Sequence, residues 1–547
     1  MKKFFYRLPY FLVQFFIFIF FSFFVVLFLN LQVFNSNILA LDKEKPFNLI
    51  APRGEILATD KDGNLYAIAS NLVVYRVYFK NFKDYSPPQI EEIFHQLKNY
   101  FPDLELQKLN SKNLIVLGEV DSLTKAKIEK LKLDTIWFEP VYLRYYPYKE
   151  ITAKITGFVQ ENKGICGLEA YYDNFLKGID GLLLGNKIFR APEKGADLVT
   201  TIDINVQKKV YELTKNFVEK TESKEGIVIV MKPKTGEILS LVEIPSYDPN
   251  KYFSVSDYSL FNIKSLQPIE PGSVIKPFVF ALGIEKNVIS PQTTYQDEGK
   301  IIVDNKIIKN WDGKAYGKIT LQEALNKSLN LGAIFVTEKI GLRELLNFYE
   351  LLGFEEKTNI DLYPENIGNL STLRFPFGRK INFYTASFGQ GIALTPIRLI
   401  TDFNMFANEG TIIKPFIVKE IRSLNGIQKI SPSIISRPIS FNTYQTMNLM
   451  LQGVVEDGFG KKARMDNYFV SGKTGTAQIF DLEEKKYIDK TIHSFLGYFP
   501  STEPQFLILI ILKEPSSKYP FSSQTAPVLF KEIANYLASY YGILPDK

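Results

Sequence analysis

The sequence has very few of the residues that build metal centres and thiol active sites. Its 547 residues include two histidines, His95 and His493, and one cysteine, Cys166. These numbers exclude a zinc finger, a Cys/His metal cluster, a Cys–His protease and an intramolecular disulfide. Hydrolytic or transfer chemistry would therefore need a base other than histidine, and we expect neither a metal nor a cofactor.

The chain also lacks an excess of charge of either sign. Lysine and arginine together number 65 and aspartate and glutamate 59, which leaves a net charge of +6. So balanced a composition predicts no nucleic-acid partner, because nucleic-acid binding needs a concentrated positive surface. With 46% apolar residues the chain can bury a large core, and at about 150 residues per domain its length allows three or four domains.

Only one apolar run is long enough to cross a membrane. Residues 10–29 (YFLVQFFIFIFFSFFVVLFL) contain two polar residues, and a helix of this length at about 1.5 Å per residue spans about 30 Å of hydrocarbon. Basic residues precede the run and none follows before Lys43. The positive-inside rule predicts a cytoplasmic tail over residues 1–8, a transmembrane anchor over residues 9–31 and an extracytoplasmic body. The protein would then be a single-pass cell-membrane protein. A cleaved signal peptide is the alternative, but its apolar core would be shorter, about 7–15 residues.

The exported body is predicted to hold two domains. Residues 45–200 alternate short strand-like runs with turns and two charged helical patterns, which indicates an α+β pedestal domain. Residues 201–545 begin with two strand-like runs joined by a hairpin turn, continue with a helical middle, and end with three strands and a helix. This order predicts an α/β domain whose antiparallel sheet is flanked by helices.

The first candidate chemical motif pairs a serine with a lysine. On a helix, positions i and i+3 share a face, so Lys276 would lie over Ser273. A serine hydroxyl is a poor nucleophile without an adjacent base, and a buried lysine with a lowered pKa can be that base. The same spacing occurs at Ser122 and Lys125, so the motif is not specific by itself.

The second candidate motif is Ser-x-Asn, which occurs four times. The serines are Ser111, Ser328, Ser423 and Ser440. Only the motif at Ser328 lies in an apolar, helix-like context (LQEALNKSLNLGA), whereas the others lie in the first domain or in polar, turn-rich surroundings. This context favours Ser328 and Asn330 as the functional pair.

The third candidate motif, Lys-Thr-Gly, occurs twice. Lys234 lies in the predicted hairpin turn, where the glycine needs no other role. Lys473 instead continues a strand-like run (YFVSG). Small residues on such a strand let a substrate backbone lie against it as an added strand, and Gly475 permits its close approach.

Taken in chain order, the three motifs resemble the signature of class B penicillin-binding proteins, the monofunctional peptidoglycan D,D-transpeptidases. Residues 53–56 (RGEI) resemble the opening of the family's N-terminal pedestal, and residues 389–396 (GQGIALTP) resemble a stretch that flanks its active site. The likeness covers roughly residues 48–545. It implies a penicillin-binding transpeptidase domain behind a pedestal similar to the family's dimerisation domain.

The resemblance implies a catalytic role for each motif. Ser273 would be the acylated nucleophile and Lys276 its general base. Ser328 would relay a proton, and Asn330 would hold Lys276 and the substrate amide. Lys473 would supply positive charge.

The resemblance also implies how the substrate is bound. Thr474 and Thr476, on either side of Gly475, would bind the terminal carboxylate of the donor peptide. The backbone N–H groups of Ser273 and Thr476 would form the oxyanion hole, in which each donor contributes about 2.7–4 kcal/mol.

The implied reaction is acyl transfer in peptidoglycan synthesis. Ser273 attacks the D-Ala–D-Ala bond of a stem peptide, D-Ala leaves, and an amine on a neighbouring strand resolves the acyl-enzyme. β-Lactams would acylate the same serine. The alternatives are a D,D-carboxypeptidase or class D-like β-lactamase, and a non-catalytic penicillin-binding scaffold or β-lactam sensor.

The same resemblance implies a partner and a cellular role. No glycosyltransferase domain fits within residues 45–200, so glycan polymerisation would come from a polytopic glycosyltransferase. Residues 144–147 (RYYP) and 155–158 (ITGF) are similar to the division, FtsI-type branch of the family. This similarity favours a role in cross-linking at the division septum over one in the elongation branch of the family.

Overall fold

The computed structural model describes residues 47–80, 85–109, 114–184, 187–481 and 486–547. Within these ranges no helix is both long and apolar enough to cross a bilayer. The predicted anchor, residues 9–31, lies outside the described residues.

In the N-terminal region, strands alternate with short helices. The strands are β1 (Phe47–Leu49), β2 (Ile56–Thr59), β3 (Leu65–Phe79), β4 (Ile115–Val120), β5 (Ile136–Tyr145), β6 (Val159–Gln160), β7 (Lys163–Gly164), β8 (Gly181–Leu184), β9 (Lys187–Arg190) and β10 (Asp197–Asp203). The helices are α1 (Pro87–Lys98), α2 (Leu106–Leu109), α3 (Ser122–Glu129), α4 (Ala153–Thr156), α5 (Gly167–Tyr171) and α6 (Asp173–Leu176).

In the C-terminal region, long helices accompany the strands. The strands are β11 (Glu225–Met231), β12 (Ile238–Ile244), β13 (Thr294–Asp297), β14 (Lys300–Val303), β15 (Lys306–Lys309), β16 (Gly317–Thr320), β17 (Ile412–Ile413), β18 (Val418–Ser423), β19 (Gly426–Lys429), β20 (Ile434–Ser436), β21 (Ser471–Asp481), β22 (Lys486–Phe499) and β23 (Phe506–Lys513). The helices are α7 (Ile204–Thr221), α8 (Lys276–Glu285), α9 (Leu321–Asn326), α10 (Asn330–Ile340), α11 (Leu342–Leu351), α12 (Lys380–Ala386), α13 (Pro396–Phe403), α14 (Phe441–Glu456) and α15 (Ala526–Tyr541).

The centre of the pedestal is a mixed sheet. Its strands follow the order β19-β18-β10-β2-β3-β4, and β5 also pairs with β3. The far half of β3 pairs antiparallel with β5. Its residues Val77 and Phe79 are fully buried in one cluster with Ile90 and Leu97 of α1. Alternate residues of a strand point to opposite faces, so this half of β3 contributes one face to a small separate core.

The pedestal sheet is completed by strands from much later in the chain. β18 pairs antiparallel with β10, and β10 pairs parallel with β2 on its other edge. The boundary predicted at residue 200 therefore falls inside β10, and part of the region 201–545 is built into the pedestal sheet. Local sequence patterns do not signal this pairing, because the partner strands are far apart in sequence.

The second sheet has five antiparallel strands in the order β12-β11-β23-β22-β21. On β11, Val228 and Val230 face a core formed with α7 and α15, whereas Ile227 and Ile229 face the core under the helical middle. Both faces are covered, which explains why this strand is an unbroken apolar run. The predicted antiparallel sheet flanked by helices is confirmed.

Two site-bearing segments differ from simple helices. Ser273 lies in a single 3₁₀ turn (Gly272–Ile275), and α8 begins only at Lys276. Ser328 is flanked by helices as predicted but lies in the link between α9 and α10, with φ of 54°. This left-handed conformation is unfavourable for a serine, so tertiary contacts must hold it.

Candidate active site

The turn that carries Ser273 is held between a strand and a loop. The N–H of Gly272 donates to the carbonyl of Gly389 at 3.1 Å, and a Cβ on Gly272 would lie 3.0 Å from Cβ of Ala477 on β21. Ser273 is half-buried, and its hydroxyl makes no hydrogen bond to any residue that the structure describes. Close packing on β21 thus brings this serine beside Thr476, one residue before Ala477.

Lys276 is fully buried directly after this turn. Its Nζ donates to the carbonyl of Ser328 at 2.5 Å and to Asn330 Oδ1 at 2.9 Å, and it lies 3.3 Å from Ser328 Oγ. Burial, and then the nearby charge of Lys473, lower the pKa of Lys276 well below its ordinary value. A neutral amine that donates its two protons in this way keeps its lone pair for a proton from a nucleophile.

Ser328 joins the two lysines of the site. Its Oγ lies 2.8 Å from Lys473 Nζ and 3.3 Å from Lys276 Nζ. The left-handed backbone of Ser328 positions the hydroxyl between the two amines. Such an arrangement can pass a proton from one side of the site to the other.

Lys473 is fully buried on β21. Besides Ser328, it donates to the carbonyl of Thr474 at 2.9 Å. Burial lowers the pKa of Lys473 to about 7. An anionic ligand beside it would raise this pKa and favour the charged form.

β21 lies at the end of the five-stranded sheet and pairs with β22 alone among the described strands. A Cβ on Gly475 would collide with the hydroxyl of Ser494 and approach Val274, which follows the nucleophile turn. Glycine is therefore required where the turn and the strand meet. Thr476 is half-buried, and its Oγ1 accepts from the Ser522 N–H at 3.2 Å and lies 3.0 Å from Ser522 Oγ.

The sequence patterns do not identify two further groups at the site. Glu270 accepts from the Gly391 N–H at 3.0 Å and from the Tyr487 hydroxyl at 3.1 Å, and burial raises its pKa. Trp311 donates to the carbonyl of Lys327, next to Ser328, at 3.1 Å. Two signals in the sequence could have identified them. Glu270 is an acidic residue three positions before Ser273, and Trp311 is one of only two tryptophans.

The alternative Ser-x-x-K and Lys-Thr-Gly motifs lie elsewhere. Ser122 is the first residue of α3, and Lys125 lies over the ring of Tyr75 in the pedestal. Lys234 lies in the hairpin turn between β11 and β12, where it forms an exposed ion pair with Glu503 at 2.7 Å. Neither motif is near the cluster of Lys276 and Lys473 in any contact of the described residues.

The alternative Ser-x-Asn motifs also have local structural roles. Ser423 and Asn425 form the exposed turn between β18 and β19. Ser440 caps the N-terminus of α14 by accepting from the Thr443 N–H. Ser111 lies outside the described residues. Among the motifs that the structure describes, those at Ser273, Ser328 and Lys473 are the ones brought together.

Ser273 lies three residues before the buried Lys276, and Lys276 shares the Ser328 hydroxyl with a second buried lysine, Lys473. A serine with an amine base of this kind is the arrangement of a serine-type acyl-transfer enzyme. Residues 226–535 match the family model described as penicillin binding protein transpeptidase domain, and residues 48–184 match the penicillin-binding protein dimerisation domain. The first match covers more than half of the chain. The chain therefore belongs to the penicillin-binding proteins, in the class B form that joins a pedestal to a transpeptidase domain.

Individual relatives agree with this assignment. Stage V sporulation protein D of Bacillus subtilis is 31% identical over 453 residues, which cover 79% of this chain and 69% of the relative. Peptidoglycan D,D-transpeptidase FtsI of Buchnera aphidicola is 27% identical over 549 residues, which cover 94% of this chain and 91% of the relative. The crystal structure of penicillin-binding protein 2X from Streptococcus thermophilus has a TM-score of 0.78 at 22% identity, covering 91% of this chain and 81% of that one. The predicted family and enzyme class are confirmed.

Proposed function

We propose that this peptidoglycan D,D-transpeptidase cross-links stem peptides through an acyl-enzyme on Ser273. The observation that carries the proposal is the arrangement of Lys276 and Lys473 around the Ser328 hydroxyl, directly beyond the turn that holds the serine. Two buried amines at one hydroxyl are costly for stability, which is typical of residues kept for chemistry.

Acylation of the donor peptide uses Lys276 as the base. Ser273 Oγ attacks the carbonyl carbon of the penultimate D-Ala and passes its proton to the neutral Lys276 amine. The Oγ–C bond forms and the C–N bond to the terminal D-Ala breaks. The leaving nitrogen receives a proton through Ser328, and free D-Ala departs.

Resolution of the acyl-enzyme reverses these proton transfers. An acceptor amine of a neighbouring stem peptide attacks the ester carbon and gives its proton to the same base. The new amide C–N bond forms, the Oγ–C bond breaks, and Ser273 regains its proton. Backbone N–H groups of Ser273 and Thr476 stabilise the oxyanion in both steps.

Binding of the donor's terminal carboxylate falls to β21. Lys473 supplies positive charge, and the hydroxyls of Thr474 and Thr476 supply hydrogen bonds. Gly475 leaves room for the peptide backbone beside the strand.

Fluorescent penicillin tests the assignment of the nucleophile. Intact-protein mass spectrometry and peptide mapping should find one adduct on Ser273, absent in Ser273→Ala and retained in Ser122→Ala. The adduct should be long-lived, because Glu344 on α11 is exposed and ion-paired with Lys286 and so does not activate a deacylating water. An adduct on Ser122 would show that Ser273 is the wrong serine, and an adduct on Ser273 that clears within seconds would favour a β-lactamase.

The alternative Lys-Thr-Gly and Ser-x-Asn motifs provide matched controls for the proposed roles of Lys473 and Asn330. Lys473→Ala should slow acylation by about 10²–10³-fold, the usual effect of removing one preorganised group. Lys234→Ala, in an exposed turn, should change the barrier by less than about 0.5 kcal/mol. Asn330→Ala should slow acylation and Asn425→Ala should not. Equal effects at Lys234 and Lys473 would refute the role of β21.

Membrane anchoring and septal action are further parts of the proposal. The apolar run of residues 10–29 and the basic residues before it support a single-pass anchor with the catalytic body outside the cell membrane. A transpeptidase that polymerises nothing must stay close to a polymerase, so residues 9–200 would bind a polytopic glycosyltransferase. Tethering of this kind raises the local concentration to roughly millimolar.

Topology and partnership can be measured together. Protease added outside intact spheroplasts should digest the body and spare residues 1–8. Cysteine crosslinking from positions 10–29 should trap a multi-span protein enriched at the septum. If an unrelated anchor supports full cross-linking at the septum, the helix is only a tether and the partnership is wrong.

A further inference from the structure

The hairpin of β14 and β15 borders the candidate active site at Asn330. The Oδ1 atom of Asn330 accepts from Lys276 Nζ at 2.9 Å, and its Nδ2 atom donates to the carbonyl of Lys309 at 3.0 Å. Lys309 is the last residue of β15. The hairpin therefore adjoins the catalytic base through Asn330, whereas the donor-binding strand β21 meets the site at Lys473.

The turn of this hairpin fixes which residues lie opposite each other. Asp304 and Asn305 form the turn with φ of 47° and 59°, and positive φ at both residues is characteristic of a two-residue type I′ turn, which sets the register of its strands. Four side chains share one face of the hairpin, because alternate residues of a strand point to opposite faces. They form two directly opposed pairs, Lys300 with Lys309 and Ile302 with Ile307.

The two faces of the hairpin have different surroundings. On one face Val303 and Ile308 are buried in a cluster with Ile334 of α10. On the other face Ile302 and Ile307 are 67% and 58% exposed, and both paired lysines are exposed as well. The second face is therefore open to a ligand while the first holds the hairpin on the domain.

The composition of the exposed face does not favour folding. Like charges directly opposite each other on paired strands are destabilising, and within the described ranges neither Lys300 nor Lys309 forms an ion pair. Asp304, the acidic residue of the turn, accepts from the Ile381 N–H at 3.1 Å instead. Two cations without a counter-charge, next to an exposed apolar pair, are complementary to a ligand that is anionic and partly apolar.

The end of a stem peptide has this chemistry. Its D-Ala–D-Ala terminus carries apolar methyl groups and an anionic carboxylate. In the proposed function β21 already binds the carboxylate of the donor peptide. A second cationic surface that adjoins the site at Asn330 is therefore suited to the other stem peptide of the reaction, which supplies the amine.

We propose that the exposed face of the β14–β15 hairpin is the docking surface for the acceptor stem peptide. Lys300 and Lys309 bind its terminal carboxylate, and Ile302 and Ile307 contact its alanine methyl groups. The proposal rests on the proposed function, because it assumes an acyl-enzyme on Ser273. It adds recognition of the acceptor and gives this face no part in acylation.

Two acceptors that differ only in their last group test the recognition of charge. Both are stem-peptide analogues with a free side-chain amine, and one ends in a carboxylate whereas the other ends in the primary amide. The full-length protein is acylated with a thioester donor, and mass spectrometry follows both the acyl-enzyme and the transfer product at a series of acceptor concentrations. Acylation and transfer are thereby measured separately, and the transfer data give kcat and KM for each acceptor.

Charge reversal of both lysines is the main variant, because it keeps a like-charge pair across the strands. Lys300→Glu with Lys309→Glu should lower kcat/KM for the carboxylate acceptor about 10-fold or more, chiefly through KM. Transfer to the amide acceptor and the rate of acylation should change little. Added salt should slow transfer to the carboxylate acceptor in the wild-type protein and accelerate it in the variant.

The same hairpin supplies a control for position. Lys306 is exposed and lies on β15, but by alternation it belongs with Ile308 to the packed face. Lys309→Glu alone should lower the ratio of kcat/KM between the carboxylate and amide acceptors, and Lys306→Glu should leave this ratio unchanged.

The apolar pair is tested by a separate variant. Ile302→Thr with Ile307→Thr keeps the branched shape of both side chains and removes apolar surface without changing charge. KM should rise by the same factor for the two acceptors, and an unchanged KM for both would overturn the assigned contact with the alanine methyl groups.

An unchanged ratio between the acceptors after charge reversal, or equal losses in Lys306→Glu and Lys309→Glu, would overturn the docking surface. A loss confined to acylation would assign the face to the donor, and weaker binding to anionic vesicles with normal transfer would assign it to a membrane surface; either result also overturns the proposal. Failure of the proposed function has a different signature, because no acyl-enzyme would then form on Ser273 in the wild-type protein.

Discussion

In the proposed mechanism Lys276 and Lys473 need opposite protonation states, although both side chains are fully buried. Lys276 must be neutral to accept the proton of Ser273, and the charge of Lys473 lowers its pKa further. Lys473 must be charged to attract a carboxylate, yet burial lowers its pKa to about 7. The active state therefore exists only in a window of pH in which one lysine has lost its proton and the other retains it.

Acylation by penicillin should follow a bell-shaped pH profile. The second-order rate constant reports the free enzyme, so it should fall above about pH 7 as Lys473 loses its proton. It should fall again in acid as Lys276 becomes protonated. Lys473→Arg keeps its charge and should remove the alkaline fall, even if the plateau is lower. Lys234→Arg is the matched control and should keep the wild-type profile. If the alkaline fall persists in Lys473→Arg, deprotonation of Lys473 is not its cause.

The same burial should make stability depend on pH. Above pH 7 folded Lys473 is mostly neutral, whereas unfolded lysine binds a proton up to its ordinary pKa of about 10.4. The unfolded state then binds more protons, so the free energy of unfolding rises with pH. Lys473→Met should reduce this slope by up to about 1.4 kcal/mol per pH unit between pH 8 and 10. Urea unfolding across this range measures it, and identical slopes would refute the prediction.

At the scale of elements, the regular strands and helices could be predicted from the sequence, whereas the irregular link at Ser328 and the contacts between distant side chains could not. The unbroken apolar run predicts the buried strand β11, and the amphipathic pattern predicts the helix α15. In both elements the spacing of apolar residues in the sequence matches the residues that are buried in the structure. The link at Ser328 has no local signal, since its left-handed backbone depends on the lysines that it meets. The contact between His493 and Thr525 likewise joins side chains 32 residues apart.

The loop at Gly389 lies against the turn that carries Ser273, and a substitution can test whether this contact positions the turn. A Cβ at Gly389 would collide with the backbone of Gly272, so Gly389→Ala should displace the turn and slow acylation about 10²-fold or more. Gly63→Ala is the control, because Gly63 has φ of 85° against 83° at Gly389 but has no atom within 4 Å of the new Cβ. Penicillin acylation rates compare the two. Similar losses in both variants would attribute the effect to backbone strain alone.

At the scale of the whole molecule, a buried charge cluster ties the pedestal together. Glu169 is fully buried and accepts from Arg53 Nε and Arg144 Nε, each at 2.6 Å. Arg53 also donates to Asp173 at 2.6 Å. The cluster connects β5 and α5 with the segment before β2, so Arg53 of the stretch RGEI and Arg144 of the stretch RYYP meet at Glu169.

Loss of the central carboxylate should destabilise the protein strongly. Glu169→Gln leaves the buried Arg144 without its carboxylate partner and Arg53 with Asp173 alone, and it should lower the free energy of unfolding of the pedestal by about 3–5 kcal/mol. Glu119→Gln, which breaks the partly exposed pair with Arg76, should cost less than about 1 kcal/mol. Chemical unfolding of both variants measures the two losses in the free energy of unfolding. Equal effects would show that burial does not govern these pairs.

The sheet shared by β10 and β18 affects the order in which the chain can mature. Synthesis from the N-terminus produces β2 and β10 well before β18, so for that interval the outer edge of β10 has no partner strand. An unpaired edge of this kind is a site for wrong pairing between chains. The pedestal sheet can therefore reach its final form only after β18 has been made, and a nascent chain stalled between residues 203 and 418 is the form that a chaperone would need to protect.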